Sequence, residues 1–525
     1  MKAGAALSLS TILCLLLPSA RAALRTWDGG GADNYWSTAA NWAGDVGPVA
    51  GDDLLFPSGA ARLSNSNNFP SGTIFNSITL SGGGYTLRGQ TIALRSGITN
   101  LTGVNLIYTP FLLASNQTFA ADSYLQFLSG IELNGNTLTL TGVGELQFTA
   151  PLTGAGAIIK TGPSGAGFYG NSSYVGSTEV LQGSLTLGHS NALGLATSGT
   201  TVAPGALILL SGPFTVAEPL VLGGRLASTA GTNVWSGPIT LISNTATIEA
   251  GAPLLISGLI SGTGSLTKVG SSTLRLAANN TYTGKTTNTL GALNSALIIN
   301  GSQPLSDVYQ ILGTFGGTGT VGSVTSSSFD NIVSPGESGV GKLTTSNLTL
   351  NSGTLLLVRL DNSTPGSGYG QVNVNGSVTL NNASLGINPR FVPAVGASFL
   401  VLNNDGVDPV AGSFRFLPEG AVVNANGIPF RISYAGGSGN DVVVTRISVP
   451  ARFESITPLT NGQLRLQATG GLPGFTYCIE AATDLHPVIQ WSNIGWAVPD
   501  PAGGFSFMDT NAPLFPRRFY RALSP

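Results

Sequence analysis

The sequence predicts an all-β chain: a right-handed parallel β-helix, or solenoid, with a tryptophan-rich N-terminal cap and a small C-terminal β-sandwich. Three observations carry that prediction. Apolar residues recur as pairs separated by one residue, as in Ile78 and Leu80, Tyr85 and Leu87, Ile92 and Leu94, Ile131 and Leu133, Leu138 and Leu140, and Leu146 and Phe148. Each pair marks a very short strand with two side chains on one face. Successive pairs stand seven or eight residues apart, broken by Gly, Ser or Asn, so that three strands make a coil of about 21 residues, within the period range of stacked solenoids. A longer repeat runs through the same region. GAGAIIKTG (154–162) matches GTGSLTKVG (262–270), NSSYVGSTE (171–179) matches NNTYTGKTT (279–287), and LQGSL (181–185) matches TLGAL (289–293), all at one offset of 108 residues. That offset equals about five such coils.

Residues 1–22 carry Lys2, an apolar run from Leu7 to Leu17, Pro18, and the small-x-small triplet Ala20-Arg21-Ala22. This is a secretory signal peptide with cleavage expected before Ala23. Cys14 follows Leu13 rather than a small residue, so it does not read as a lipid-attachment site. The mature chain keeps Cys478 alone, no intramolecular disulfide is available, and stability must come from packing and hydrogen bonds. No later stretch reaches the roughly 18 to 20 apolar residues of a membrane-spanning helix. A formal net charge of −2 with 9% charged residues leaves no electrostatic footprint for DNA, RNA or anionic lipid, and nucleic acid is excluded as a partner. The 42% hydrophobic content argues against disorder, and the 73 glycines belong to turns between short strands.

Residues 23–60 are the expected N-terminal cap. TWDGGGADNYWSTAANW (26–42) holds Trp27, Trp36 and Trp42, half of the six tryptophans, beside Tyr35, Asp28, Asp33, Asn34 and Asn41. Aromatic faces flanked by carboxylates and amides suit a carbohydrate surface, which makes Trp27, Tyr35, Trp36 and Trp42 the candidate sugar-binding residues. The same residues suit a lid, because a solenoid's first coil exposes an apolar disc and unpaired strand edges. Their position just ahead of DDLLFP favours the lid.

The β-helix is expected over 61–312, with the repeat near 154–185 and 262–293. Over 313–447 strands lengthen and prolines become frequent, which reads as the terminal coils and a C-terminal cap. Composition shifts again at RISVPARF, and 448–525 carries longer alternating strands with Trp491, Trp496, Phe505, Phe507, Phe519 and Tyr520, enough for a small sandwich with its own core.

No motif supplies a cofactor. GESGVGKL (336–343) has the spacing of a phosphate-binding loop but places Leu343 where magnesium needs Ser or Thr; TGKTT (283–287) has Asn279 in place of the first glycine; and GGTGTVG (316–322) is followed by no helix. All three read as glycine turns. GGSGNDVVV (436–444) fits the nonapeptide of calcium-binding β-rolls, which makes Asp441 a metal candidate, yet one copy supplies only part of a shell of six to eight oxygens. His189 and His486 are too far apart for a pair, and no G-x-S-x-G elbow occurs. Glycosidase or lyase chemistry needs converging carboxylates. The acids between residues 54 and 304 are Asp122, Glu132, Glu145, Glu179, Glu218 and Glu249, with only Asp122 and Glu145 about one coil apart. No catalytic residue is assigned.

The stretch GTGSLTKVGSSTLRLAANNTYTGKTT, with Gly262, Gly264, Leu266, Lys268, Gly270, Leu274, Leu276, Asn280, Tyr282, Gly284 and Thr286, resembles the autotransporter-associated β-strand repeat of secreted bacterial passenger proteins. The upstream copy keeps Lys160, Tyr174, Gly176 and Thr178 and departs at Ala166, Phe168 and Ser172. WDGGGADNYWSTAANW, GTNVWSGPITL (231–241) and the segment from LPEGAVV to GNDVVV (417–444) are similar to parts of large surface proteins of environmental Gram-negative bacteria. The resemblance covers most of 26–446 and implies a parallel β-helix and export, without chemistry. Residues 448–525 resemble a fibronectin-type-III-like module. The 78 residues after 447 are too few for a membrane barrel, which takes some eight or more strands of about ten residues, so the likeness is to a passenger. The function expected is a non-enzymatic stalk, adhesin-like binder or scaffold, extracellular or on the outer surface of a Gram-negative-type bacterium, with extracellular polysaccharide or other surface proteins as partners. A polysaccharide lyase or glycosidase is the alternative, and a calcium-dependent matrix protein the third reading.

Overall fold

The computed structural model describes residues 22–289, 295–486 and 488–524. The signal-peptide reading, apart from Ala22, lies outside these residues, as do Cys14 and most of the downstream TLGAL match. Helix among the described residues is limited to three 3-10 turns, Ala39–Asn41, Ala43–Asp45 and Ala512–Leu514. Everything else regular is strand. The chain forms two compact units, one ending at Ala157 and the next beginning at Ile158.

The first unit is a parallel β-solenoid with three faces. One face runs through Leu24–Thr26, Asp53–Phe56, Thr73–Leu80, Ile92–Asn100, Gln117–Ala121 and Leu138–Thr141, each paired in parallel with the next. The second runs from Ser64–Asn67 to Leu146–Phe148, and the third from Phe111–Leu113 to Leu152–Thr153. Leu138 pairs with Gln117, Leu146 with Leu125, and Leu152 with Ile131, an offset of 21 residues on every face. The period expected from the apolar pairs is therefore the period of the fold. Like side chains consequently stack on like: Phe127 pairs with Phe148 one turn on, and their rings lie 4.8 Å apart and nearly parallel. Gly97 shows what a bulge demands here. It sits at φ +112°, where the register between Thr73–Leu80 and Ile92–Asn100 shifts, and a Cβ there would stand 1.9 Å from the Thr118 carbonyl oxygen.

The second unit repeats the architecture. Its first face climbs through Ile158–Lys160, Thr178–Val180, Thr200–Val202, Leu220–Leu222, Ile239–Leu241 and Ile260–Gly262. A second face extends from Gly165–Phe168 to Ala411–Ser413, a third from Thr215–Val216 to Ser384–Pro389, and a further parallel ladder from Ser302–Gln303 to Ser398–Asn404. The parallel rule ends there. Asp441–Arg446 adds to Ser398–Asn404 in the antiparallel sense, and Ile428–Gly436 and Val422–Ala425 continue the sheet in turn.

The 108-residue offset is not a whole number of turns. Lys160 lies on the first face, whereas Lys268, in Leu266–Val269, pairs on the second. Five turns carry Ile158 to Ile260 on the first face, and the repeat begins one face later. A three-faced solenoid offers the same pleated floor on every face, so a sequence element can be laid on any of them. Local bonding is preserved despite the rotation. Tyr174 and Tyr282 are both fully buried, and each phenol shares a hydrogen bond with a threonine hydroxyl four residues on, Thr178 or Thr286, at 2.5 Å. Lys160 and Lys268 are also both buried, each donating its ammonium to a glycine carbonyl two residues later, Gly162 or Gly270.

The chain ends in two small antiparallel sheets. Arg452–Pro458, Leu464–Thr469 and Phe505–Asp509 form one, and Ser492–Ala497, Tyr477–Ala482 and Phe519–Leu523 the other. Leu466, Ala468, Phe475, Tyr477, Ile479, Ala497 and Phe505 bury one another between them. Phe505 and Phe507 serve this core, but Trp491 and Trp496 do not.

Candidate functional site

The strand Asp53–Phe56 places the N-terminal tryptophans. Leu24–Thr26 pairs with it, and the intervening loop folds back so that Trp27 bridges Trp42. The rings form one cluster: Trp27 and Trp42 meet edge to face at 5.2 Å, Trp36 and Trp42 at 6.2 Å, and Trp36 and Trp42 lie 5.5 and 6.0 Å from Phe56. Each indole N–H donates internally, Trp27 to the Arg62 carbonyl (2.7 Å), Trp36 to Asn65 Oδ1 (2.7 Å) and Trp42 to the Trp36 carbonyl (2.8 Å). All three side chains have 0% of their surface exposed. Sugar stacking needs a ring face open to solvent, and Tyr35, at 49% exposure, is the one of the four candidates that has it.

Tyr35 borders a shallow cleft of about 440 Å³ with Asp33, Asn34, Ser66 and Arg88. Asp33 holds the loop. Its carboxylate accepts from the Tyr35 amide, the Thr38 hydroxyl and Asn41 Nδ2, and the first of these leads in holding its pKa below the ordinary value. Arg88 lies over the Tyr108 ring at 4.1 Å. Asp33 is thus engaged in the local turn, and so is Asp28, which accepts from the Gly30 amide at 2.9 Å.

Asp441 sits at the GGSGND turn, buried. One oxygen accepts from the Asn404 amide at 2.8 Å, and the other from the Ser438 amide and hydroxyl at 2.7 and 2.8 Å. Asn440 ties the same turn to the Asp405 and Asp408 carbonyls at 3.0 Å. A cation here would have to displace three donors. No group of three or more His, Cys, Asp or Glu side chains converges among the described residues.

Of the acids considered for polysaccharide chemistry, Asp122 and Glu145 are the two about one coil apart. Gly144, not Glu145, packs over Asp122 and Ser123, and Glu145 accepts a hydrogen bond from Gln147. Glu218 points inward instead. It is buried at the edge of the first face of the second unit and accepts from the Thr200 hydroxyl at 3.2 Å, and burial pushes its carboxyl up to about 7. Nothing in the local sequence GPFTVAEPLVL distinguishes an inward from an outward glutamate at a strand's edge. The phosphate-loop look-alike at 336–343 becomes a tight turn, with Leu343 fully buried in the strand Gly341–Thr345.

These features define the class as a parallel β-solenoid, in which the polar side chains described above serve turns and interior ladders. No known family's sequence profile matches the chain. The chain is 29% identical over 314 residues to the adhesin BmaC autotransporter of Brucella suis biovar 1 (strain 1330), across 57% of this chain. It spans 9% of that protein's length.

Proposed function

We propose that this chain is an exported, non-enzymatic β-helix protein that acts as an adhesin-like binder, stalk or scaffold at the outer surface of a Gram-negative-type bacterium or outside it. The likeness to an autotransporter adhesin, combined with the parallel solenoid, is the observation that supports the reading most. Residues 1–22 act as the signal peptide and 23–60 as the N-terminal cap. The ring cluster of Trp27, Trp36, Trp42 and Phe56 closes the apolar end that an uncovered first coil would present. Residues 61–312 are the stacked body. Residues 313–447 are the last coils and their closure, where the antiparallel strands from Val422 to Arg446 stop further parallel addition. Residues 448–525 are a fibronectin-type-III-like terminal module. Extracellular polysaccharide or other surface proteins are the partners.

The test is adhesion of the purified mature chain to bacterial and host-cell surfaces and to a polysaccharide panel, run beside product analysis of the same polysaccharides. Saturable binding without new reducing or unsaturated ends is expected. Turnover of any panel member would transfer the protein to the glycosidase or lyase class.

A further inference from the structure

The six tryptophans divide sharply by exposure. Trp27, Trp36, Trp42 and Trp235 are fully buried, whereas Trp496 has 61% of its surface open to solvent and Trp491 is half-buried. Both of the latter belong to the C-terminal pair of sheets. A single exposed apolar side chain is ordinary, but two indoles gathered on one face make a patch that a partner would cover.

Sequence spacing alone would set these two rings apart. Side chains alternate along a strand, so positions 491 and 496, an odd number apart, should point to opposite faces. The structure overrides this with a β-bulge. Glu480 pairs with Asn493 and Ile479 with Gly495, so the register of Ser492–Ala497 shifts by one residue around Ile494. The bulge is built on Gly495, at φ +152°, where a Cβ would lie 2.4 Å from the Phe507 ring. Ile494 and Gly495 both turn to the core side, and Trp491, Asn493 and Trp496 emerge together on the outer face. At about 3.3 Å per residue, with one residue absorbed by the bulge, the two indoles stand roughly 13 Å apart along the strand.

Between them lies a polar row. Asn493, Glu480 and Arg521 are cross-strand neighbours, and the Arg521 guanidinium donates to Glu480 at 2.8 and 2.6 Å while lying over the Trp491 ring, 4.4 Å from its centroid, so that it covers one face of that indole. The ion pair leaves the strip without an unmatched charge, so it offers nothing to hold a polyanion. Two separated ring faces with hydrogen-bonding groups between them match a pyranose chain, whose rings carry an apolar C–H face and a hydroxyl rim.

We infer that the outer face of the sheet formed by Tyr477–Ala482, Ser492–Ala497 and Phe519–Leu523 is a carbohydrate-binding strip for extended, neutral polysaccharide. Trp496 is its main stacking platform, the half-buried Trp491, with Arg521 on one face, is the second, and Asn493, Glu480 and Arg521 are its hydroxyl partners. The inference rests on the adhesin-like reading and moves the sugar contact from the opening tryptophans to the far end of the sequence.

The test uses the mature full-length chain, depleted from solution by suspended cellulose, chitin and β-1,3-glucan, with polygalacturonate and heparin beads as acidic counterparts. The Trp496→Ala and Trp491→Ala variants are expected to lose binding to the neutral polymer about tenfold or more while melting at the wild-type temperature, and Trp496→Tyr should retain most of it. Trp235→Phe, buried in the solenoid, should bind as wild type does. If the wild type binds a neutral polymer and Trp496→Ala binds it equally, the strip is wrong and the adhesin-like function stands. Binding to acidic polymers alone overturns the neutral specificity. If the wild type is a dimer in solution that Trp496→Ala splits, the face is a self-association surface and the inference falls. Failure of the wild type to bind any polymer or cell surface would sink the adhesin-like reading and this site with it.

Discussion

The interior of the first turns is filled by aromatic rings, whereas around residues 280–310 a buried polar network runs beside the aliphatic Leu297, Ile299 and Val308. In the first, Trp36, Trp42, Phe56, Phe75 and Tyr85 form a continuous chain of ring contacts at 5.4 to 6.2 Å. In the second, buried amides and hydroxyls bond one another, although Asn288 Oδ1 and Ser295 Oγ find no partner among the described residues. Asn280 donates to Gln303, Gln303 to the Tyr282 phenol, Tyr282 bonds Thr286, Thr286 bonds Ser306, and Asn288 donates to Gln310. A solenoid interior thus admits a polar network beside its apolar side chains. It requires that each position find a matching neighbour one turn above or below. The two solutions differ in tolerance: ring packing degrades in proportion to volume lost, whereas a polar ladder fails when any member leaves a partner unpaired.

Substitutions in each region sharpen this contrast, and the largest effect is expected in the ring cluster. Trp36→Ala should destabilise the protein by about 3 to 5 kcal/mol, the range for truncating a fully buried large aromatic, read from denaturant unfolding. Removing the whole of Ala23 to Pro57 should expose the first coil and drive association, seen by sizing; a monomeric, well-folded deletion product would refute its role as a lid.

The next effect is electrostatic and comes from charged groups buried elsewhere in the second unit. The Glu218 carboxyl ordinarily titrates near 4.5 but is raised to about 7, chiefly by burial, so between those values the unfolded chain has released a proton that the folded chain keeps. Stability should therefore fall as pH rises from about 4.5 to 7, by roughly 2 to 3 kcal/mol from this group, and then level off. Glu218→Gln should flatten that window when chemical melts are compared across pH. The buried Lys160 and Lys268 ammonium groups act in the opposite sense. Burial lowers each from 10.5 to about 8, so the unfolded state binds more protons between those values and stability should rise with pH there. An unchanged alkaline limb in a Lys268→Met variant would disprove this.

A smaller loss is expected from Tyr282→Phe, about 1 to 2 kcal/mol, because Gln303 and Thr286 each lose a partner in a site closed to water. The smallest effect is expected from Trp235→Phe. That buried indole N–H has no hydrogen-bond partner among the described residues. Removing it relieves a desolvation cost that offsets the lost ring area, so the melting temperature should change by less than that of Tyr282→Phe. A larger drop would mean that Trp235 behaves like the tryptophans of the first turn.

The period of 21 residues, the all-parallel stacking and the separate C-terminal sheets were legible in the sequence, because each depends on alternation and on glycine-broken spacing that recur locally. Alternation shows which side chains pair along a strand. It does not show on which of three faces that strand is laid, and the 108-residue repeat accordingly falls five turns and one face apart. Nor does it reveal an inward acid. Glu218 and the outward acids share the same kind of local context, and only the surrounding turn withdraws one of them from water.

The aromatic residues mark the same divide most clearly. From the sequence, the opening segment was identifiable as a dense tryptophan cluster facing either inward or outward, and the tail as a small sandwich supplied with rings. Which indoles meet solvent was decided by tertiary structure: the loop from Asp28 to Asn41 folds over Phe56 and closes the first three. One bulge residue at Ile494 then reverses the parity of its strand and brings Trp491 and Trp496 onto a single face. Side-chain direction in a sheet is a matter of register, and register is set between strands, by pairing and by the space a neighbour such as Phe507 leaves, rather than within any one of them.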